Sequence, residues 1–262
     1  MLNEPLNQCC FAAISLICKD MWSDLNNKVI LVTGTGAGIG NALVKQLASV
    51  GATVIAVARN EEQLKELASH DTKRILTLQV DLTSWQGVRQ ALSTVPQLDG
   101  LVNNAGVAII KPFEELTEQD FDTHFDVNIK AVFNVTQALL PKLRNGSSIV
   151  NVSSIAATRS FAGHTAYSAT KAALDSLTRS LALELGARNI RVNTVNPTVV
   201  LTKMGRDNWS DPAKSGPLLA HIPLQRFCEV HEVVDAIGYL LSNKSSFVNG
   251  HHINLEGGYA VS

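Results

Sequence analysis

Short runs of consecutive apolar residues alternate along this chain with segments of helical periodicity. The apolar runs predict strands at 28–33, 53–58, 74–80, 98–103, 147–153, 190–195 and 251–255. The segments between them predict helices at 38–50, 61–69, 84–94, 165–185 and 230–241, one or two more within 114–143, and irregular structure at 196–229. Apolar strands separated by helices are typical of a parallel sheet covered on both faces. The pattern predicts a single Rossmann-type α/β domain with a doubly wound parallel sheet of about seven strands.

The beginning of the chain does not follow this pattern. We interpret residues 1–24 as an N-terminal extension and residues 25–262 as a single Rossmann-fold domain. The apolar run at 9–18 is too short to span a bilayer. Only Glu4 is charged before it, and no arginine precedes Arg59, so neither a secretory signal nor a mitochondrial presequence fits. Three interpretations of this segment remain open: a tail, a weak contact with a membrane or a partner, or sequence upstream of a true start at Met21. We expect no stable membrane insertion.

Composition narrows the function classes. Lysine and arginine number 22 against 23 aspartate and glutamate, a formal net charge of -1, which argues against a nucleic-acid-binding protein. The 45% hydrophobic content supplies a large core. Three of the four cysteines lie at 9–18, without metal-ligand spacing, so the sequence predicts no metal site and no disulfide framework. This cysteine usage suits a reducing compartment, and we predict a cytoplasmic protein.

A glycine-rich segment lies between the first predicted strand and the first predicted helix. Residues 33–40 read TGTGAGIG. Glycines at this place allow the backbone to approach a pyrophosphate, and the helix N-terminus offers free N–H groups and a partial positive charge. An ordinary glycine-rich turn is the alternative. The position after an opening strand favours a dinucleotide-binding loop.

The residue that ends the second predicted strand indicates which dinucleotide binds. Sites for NAD usually place an acidic residue there to accept from the ribose 2′-OH, whereas this chain has Arg59. A guanidinium pairs well with a 2′-phosphate, so we predict NADP(H). Arg59 could instead be a solvated loop residue, and Glu61 and Glu62 would weaken the preference if they faced the same spot.

Polar residues also end the third and fourth predicted strands. Asp81 could accept from the adenine amino group or cap the helix that starts near Ser84. Asn103 and Asn104 lie at the sheet edge where ligands bind in such folds, but they could equally tie loops together.

The candidate chemistry lies in the middle of the chain. Tyr167 and Lys171 are spaced i and i+4 on a predicted helix. A neighbouring ammonium favours the phenolate and lowers the phenol pKa from its reference of about 10. Such a phenol can protonate a carbonyl oxygen while a hydride reaches the carbon. Ser154 could hydrogen-bond the same oxygen, with Ser153 as a competing candidate, while a surface pair and a loop serine are the alternatives.

Together these motifs resemble the short-chain dehydrogenase/reductase family over about residues 25–262. The resemblance rests on TGxxxGIG at 33–40, NNAG at 103–106, Asn128, Ser154 and YxxxK at 167–171. It implies a catalytic set of Asn128, Ser154, Tyr167 and Lys171. In this set Tyr167 is the acid/base, Ser154 orients the carbonyl, Lys171 binds the nicotinamide ribose and lowers the tyrosine pKa, and Asn128 holds a water that links Lys171 to solvent. Ser154 is preferred to Ser153 because the family serine precedes the tyrosine by about thirteen residues.

The resemblance also implies the residues that bind the cofactor. They are Gly34, Gly38, Ile39, Gly40, Arg59, Asp81, Leu82, Asn103, Tyr167, Lys171, Val199 and Thr202. The segment 198–202 would contact the nicotinamide carboxamide. Ala37 stands where many NADP-using relatives carry a basic residue, so Arg59 carries the phosphate preference largely alone.

Residues 195–212, 222–224 and 256–258 resemble one branch of this family, which reduces L-xylulose and α-dicarbonyls with NADPH in carbohydrate metabolism and is typically a homotetramer. We predict a substrate pocket of Ser154, Tyr167, His164 and Trp209, where a polar donor and an aromatic wall suit a small polyhydroxy ketone. His164 could instead neighbour a helix cap, and Trp209 could simply pack.

The expected function is NADPH-dependent reduction of small ketoses and α-dicarbonyls. A reductase of bulkier ketones, such as steroids or 3-oxoacyl thioesters, and a non-catalytic NADP-binding regulator are the alternatives. The complete catalytic set argues against the regulator.

Overall fold

A computed structural model describes residues 22–262 of this chain. The predictions for residues 1–21, including the short apolar run and Met21, lie outside the described residues. Trp22 is buried against Gly238, where any Cβ would overlap its ring. The first described residue is therefore part of the core.

Seven parallel strands form one sheet in the described part of the chain. They are β1 (Val29–Thr33), β2 (Thr53–Ala58), β3 (Ile75–Gln79), β4 (Leu98–Asn103), β5 (Leu143–Val152), β6 (Arg191–Pro197) and β7 (His252–Leu255). Their spatial order is β3-β2-β1-β4-β5-β6-β7, and every pair is parallel. The predicted doubly wound α/β fold is confirmed. The strand order reverses between β1 and β4, which is where such sheets open a ligand crevice.

Helices cover both faces of this sheet. They are α1 (Gly38–Ser49), α2 (Glu61–Ala68), α3 (Trp85–Ser93), α4 (Glu118–Phe125), α5 (Ala131–Leu139), α6 (Thr165–Leu185), α7 (Lys203–Trp209), α8 (Pro212–Ala220) and α9 (Val230–Leu241). The apolar stripes of α1, α2 and α9 are buried on one face, and those of α3, α5 and α6 on the other. The continuous apolar strands read from the sequence are thus buried on both sides.

The segment after β6 differs from its prediction. Residues 196–229 were expected to be irregular, but the structure has α7 and α8 there. Thr202 caps α7 by accepting from Gly205 N, and Asp211 caps α8 by accepting from Ala213 N, with Pro212 at the first helical position. Local capping therefore supports two helices that are too short to carry a clear apolar stripe.

The predicted helical region at 114–143 contains two helices joined by a π-turn at Asp126–Lys130, and β5 starts earlier than expected, at Leu143. Within residues 22–262, no helix has both the length and the apolar character needed to cross a membrane.

Candidate active site

A cavity of about 580 Å³ opens at the carboxyl edge of the sheet. The loops after β1, β2 and β3 line one end, and α6, α7 and α8 line the other. The cavity occupies the crevice where the strand order reverses, so the fold brings the separate sequence motifs to one place.

The loop after β1 holds its shape through glycines. Gly34 has a φ of +71°, and a Cβ on it would lie 2.7 Å from Ala105 Cα. A side chain on Gly40 would overlap the Gly34 carbonyl. Gly34, Gly38 and Ile39 line the cavity, but Gly40, which was predicted to bind the cofactor, does not. Gly40 instead allows α1 to pack closely against the loop.

Arg59 follows β2 and is exposed at the cavity wall. Asn60 caps α2 by accepting from Gln63 N at 2.9 Å. Glu61 pairs with Lys65 at 2.7 Å, and neither Glu61 nor Glu62 lines the cavity. The two glutamates therefore do not face the spot that Arg59 occupies.

Asp81 lines the cavity after β3. Its Oδ1 accepts from the Thr83 N–H at 3.0 Å and from the Thr83 hydroxyl at 2.8 Å, and the main-chain bond is the chief cause that lowers the Asp81 pKa. The cap of α3 is Ser84, which accepts from Gly87 N. The capping alternative for Asp81 is therefore wrong, and its carboxylate is available at the cavity.

The two asparagines at the end of β4, Asn103 within it and Asn104 directly after it, have different roles. Asn103, predicted to bind the cofactor, is 2% exposed and does not line the cavity. Its Nδ2 donates to Asn151 Oδ1 at 2.8 Å, which ties β4 to β5. Asn104 does line the cavity, and its Nδ2 donates to the Gly34 carbonyl at 2.9 Å. Alternation along the strand turns Asn103 into the protein and leaves Asn104 at the edge.

Ser154, Tyr167 and Lys171 converge on one wall of the cavity. Lys171 Nζ lies 5.6 Å from the centroid of the Tyr167 ring and donates to the Val152 carbonyl at 2.9 Å. The Ser154 hydroxyl lies close enough to Tyr167 to lower the pKa of the phenol, while Ser154 Oγ itself donates to the Pro197 carbonyl at 3.4 Å. Ser153 instead donates to the main-chain carbonyl of Lys171 at 3.4 Å. Of the two serines, Ser154 therefore contacts the phenol.

Burial sets the protonation of this wall. It lowers the pKa of Lys171 to about 8, and the nearby Asp175 charge opposes that shift. Burial also raises the pKa of Tyr167, with the nearby Ser154 hydroxyl acting against it. The pKa of Tyr167 therefore shifts upward, whereas a neighbouring ammonium was expected to lower it. The loss of solvent disfavours the phenolate more strongly than the ammonium favours it. At neutral pH the wall presents a protonated phenol beside an ammonium.

Asn128 lies in the π-turn between α4 and α5 and is 1% exposed. Its Oδ1 accepts from Val107 N at 2.8 Å, and its Nδ2 donates to Thr170 Oγ1 at 3.1 Å. A Cβ on Gly106 would lie 3.3 Å from Asn128 Oδ1 and 3.6 Å from Lys171 Nζ. Asn128 and Lys171 are therefore near neighbours, at one of the π-turns that often mark functional sites.

Comparison with known proteins decides the family. A family model described as enoyl-(acyl carrier protein) reductase matches residues 34–260. An L-xylulose reductase of Mesocricetus auratus is 49% identical over 88% of this chain and 96% of the relative. The chain belongs to the short-chain dehydrogenase/reductase family. As a member of that family, it is an oxidoreductase of the class that acts on CH–OH and C=O groups.

Two further relatives of this short-chain dehydrogenase/reductase bear on its ligands. A carbonyl reductase [NADPH] 2 of Sus scrofa is 44% identical over 88% of this chain and 96% of the relative. A gluconate 5-dehydrogenase of Burkholderia cenocepacia, solved with NADP and tartrate, is 29% identical with a TM-score of 0.85 over 90% of this chain and 96% of that structure. These relatives support a nicotinamide cofactor.

His164 and Trp209, the two residues that the sequence predicts for the substrate pocket of this short-chain dehydrogenase/reductase, both line the cavity. The His164 ring lies 6.2 Å from the Tyr167 ring, and burial is the chief cause that lowers the His164 pKa. His164 is the N-cap residue of α6 but makes no side-chain cap. The Trp209 ring lies 6.1 Å from the Phe227 ring. Trp209 thus both packs and lines the cavity.

The residues of segment 198–202 that the sequence predicts to bind the cofactor also reach the cavity. Val199 and Thr202 line it, as does Leu82 after β3. A Cβ on Gly38 would lie 3.2 Å from Thr202 Cγ2, so the glycine loop lies directly against the start of α7 at the edge of the cavity.

Two residues that the sequence did not single out lie at or near the cavity: Lys214 lines it, and His124 lies behind Tyr167 without lining it. His124 is fully buried, and its ring lies 6.3 Å from the Tyr167 ring. Its Nε2 accepts from Ile109 N at 3.0 Å, so its Nδ1 donates to the Asp120 carbonyl and the ring is neutral. Lys214 on α8 lies 5.0 Å from the Trp209 ring centroid and lines the cavity.

Neither residue belongs to a short motif, so the sequence carries no local signal for them.

Among residues 22–262, no group of three or more histidine, cysteine, aspartate or glutamate side chains could hold a metal ion.

Proposed function

We propose that this enzyme is an NADPH-dependent carbonyl reductase of small ketoses and α-dicarbonyls, L-xylulose among them. The observation that carries the proposal is the shared cavity wall, where Ser154, Tyr167 and Lys171 come together and Lys171 Nζ lies 5.6 Å from the centroid of the Tyr167 ring. The relatives that act on L-xylulose and on carbonyls with NADPH support the substrate class.

The glycine loop and the start of α1 fit a dinucleotide. Ala37, the N-cap of α1, has no side chain that could cap it, so the first N–H groups of α1 remain as donors for a pyrophosphate. Arg59 would hold a 2′-phosphate, and Asp81 would accept from an adenine amino group. Lys171 and Tyr167 would bind the nicotinamide ribose.

The remaining predicted cofactor contacts are Gly34, Gly38, Ile39, Leu82, Val199 and Thr202. A bound nicotinamide would supply the hydride.

The chain itself handles the proton and the orientation of the substrate. Tyr167 holds its proton at neutral pH, because its pKa is raised, and is therefore poised to donate it to a carbonyl oxygen. Ser154 would hydrogen-bond that oxygen and orient it. Lys171, charged below its pKa of about 8, would stabilise the phenolate left behind. Asn128 would hold a water that returns a proton toward Lys171.

The end of the cavity near Trp209 suits a small polar substrate. His164 and Lys214 offer polar contacts and Trp209 offers an aromatic wall. This mixture of one aromatic surface and few polar groups is typical of a site for a small hydroxylated ketone.

We further propose that residues 25–262 act as one catalytic domain and that the enzyme forms a homotetramer in the cytoplasm, in carbohydrate metabolism. In the part of the chain that the structure describes, nine large apolar side chains are exposed, and five of them are candidates for a subunit contact. They are Phe121, Phe133, Leu183, Phe247 and Val261. Light scattering coupled to size-exclusion chromatography tests the tetramer, and a monomer would contradict it.

A substrate panel tests the function. NADPH oxidation is measured with L-xylulose, diacetyl, a steroid ketone and a 3-oxoacyl thioester, and each assay is repeated with NADH. The expected result is turnover of the first two substrates with NADPH. Turnover confined to the larger substrates would replace the substrate class. Tight NADPH binding without any turnover would identify a regulator instead.

A further inference from the structure

A buried carboxylate lies one helical turn beyond Lys171 on α6. Asp175 is 3% exposed and Lys171 is 4% exposed. Residues four apart on a helix are neighbours, with Cβ atoms roughly 5–6 Å apart. A carboxylate at this depth is costly unless it is paired. The proton transfer described above leaves Asp175 without a role.

Asp175 is also connected to Ser154, through Asn196 on β6. Its Oδ2 accepts from Asn196 Nδ2 at 2.8 Å, and the same Nδ2 donates to the Ser154 carbonyl at 3.3 Å. Its Oδ1 is buried and has no hydrogen-bond partner among residues 22–262. Asn196 therefore links one carboxylate oxygen to the main chain at Ser154, while the other oxygen is buried without a hydrogen-bond partner among residues 22–262.

A chain of donors leads from the protein surface to this carboxylate. The exposed Arg179 donates to His252 Nε2 at 2.9 Å, so His252 donates from Nδ1 to Thr194 Oγ1 at 2.8 Å. The Thr194 hydroxyl in turn donates to Asn196 Oδ1. Every bond points toward Asp175, with a cation at the exposed end and an anion at the buried end.

The groups that face Asp175 are two cations of its own helix and one histidine of β7. Lys171 and Arg179 lie on the same helix, and His252 Nδ1 on β7 lies 3.9 Å from Asp175 Oδ2. Burial is the main cause that lowers the pKa of His252, and the Asp175 charge opposes it. Burial lowers the pKa of Lys171 to about 8, and Asp175 is the charge that opposes this shift too.

We propose that Asp175 is a positioning residue of the active site, whose buried carboxylate keeps Lys171 in its ammonium form and, through Asn196, fixes the main chain at Ser154. The inference rests on the proposed function, because it concerns the two groups that orient the substrate oxygen and stabilise the phenolate. Its consequence is a pH dependence. The ammonium is lost as pH rises through the pKa of Lys171, so removal of the Asp175 charge moves that loss to lower pH.

The direct test measures Lys171 in the cofactor-free protein. The protein is labelled with 13C at the lysine ε-carbons, and Lys171 is assigned by its absence in Lys171→Arg. Its NMR titration midpoint is then compared between the wild type and Asp175→Asn. We expect the midpoint to fall by about one pH unit. Asp175→Glu, which keeps the charge, should restore it, and Asp235→Asn, an exposed carboxylate on the other face of the sheet, should leave it unchanged.

The kinetic test follows kcat/KM for diacetyl reduction against pH. In Asp175→Asn the alkaline limb of the pH profile should move to lower pH by the same amount as the NMR midpoint of Lys171. The value of kcat/KM at pH values above both midpoints is then about tenfold lower. The plateau of kcat/KM on the acidic side should change little. A loss of equal size at every pH would assign Asp175 a structural role only. Asp175→Ser is a second neutral variant, so that a folding defect in one does not leave Lys171 unmeasured.

The two proposals fail in different ways. An unchanged Lys171 midpoint in both neutral variants overturns the role of Asp175, whatever the activity. A midpoint that falls as expected in an enzyme that reduces no carbonyl substrate supports the role of Asp175 and overturns the proposed function.

Discussion

The catalytic wall and the rim of the cavity are built differently. The wall, defined as Ser154, Tyr167 and Lys171 together with Asn128, which does not itself line the cavity, is held mainly by hydrogen bonds to main-chain groups, and Asn128 and Lys171 are almost fully buried. The rim, defined as Arg59, Trp209 and Lys214, lies on a strand end and two short helices, and its two cations are exposed. The fold thus fixes the reacting groups in advance, whereas the rim decides which molecules reach them. Changes in the wall should remove chemistry, and changes in the rim should alter selectivity.

The largest effect is expected from the wall. Tyr167→Phe removes the proton that the carbonyl oxygen needs while keeping the ring. We expect kcat for diacetyl reduction to fall by roughly 10²- to 10⁴-fold, the usual contribution of a general acid. The Kd for NADPH, measured by fluorescence titration, should change little.

Tyr239→Phe is the matched control, since it removes a hydroxyl from α9 on the opposite face of the sheet. Its kcat should equal that of the wild type. A wild-type rate in Tyr167→Phe would mean that another group donates the proton, and the distinction between wall and rim would lose its main support.

The wall was largely predictable because its residues stand in short motifs on strongly patterned elements. The long α6 has the bounds read from its periodicity, Thr165–Leu185, so the spacing of Tyr167 and Lys171 translated directly into three dimensions. The direction of the Tyr167 pKa shift was not predictable, because it depends on burial by elements distant in sequence. The sequence shows that an ammonium lies near the phenol, but it does not show that the phenol loses its contact with solvent. This loss has the larger effect on the phenol pKa.

The rim and the supporting residues were harder to predict. The region of α7 and α8 contains Gly205, Gly216 and Pro217, which hide a helical pattern, although Thr202 and Asp211 are recognisable caps. His124 and Asp175 are polar residues at buried positions of helices. Their partners lie on other elements, so only the folded structure reveals them.

A change at the cofactor end of the rim should have an intermediate effect. Arg59→Asp replaces the cation that is proposed to pair with the 2′-phosphate and supplies an acceptor for a 2′-OH. We expect the ratio of kcat/KM with NADPH to that with NADH to fall by roughly 10- to 100-fold, the size of a lost charge-assisted hydrogen bond.

Lys73→Asp makes the same charge change before β3, at the opposite edge of the sheet from Arg59. It should leave the cofactor ratio unchanged. An unchanged ratio in Arg59→Asp would instead show that another residue recognises the phosphate, and Arg59 would then be an ordinary solvated residue of the rim.

The smallest effect is expected at the substrate end of the rim, and it tests whether that end selects substrates at all. Trp209→Ala removes an aromatic surface that contacts Phe227 and lies under Lys214. The KM for L-xylulose should rise roughly 3- to 10-fold, the size of one lost aromatic contact, while kcat stays within about twofold because no wall residue moves. Trp209→Phe should recover most of the affinity, and Trp85→Phe, whose ring packs on Phe133 outside the cavity, should change neither constant. If kcat fell as far as KM rose, α7 would be positioning the reacting groups as well, and the rim would have to be counted as part of the wall.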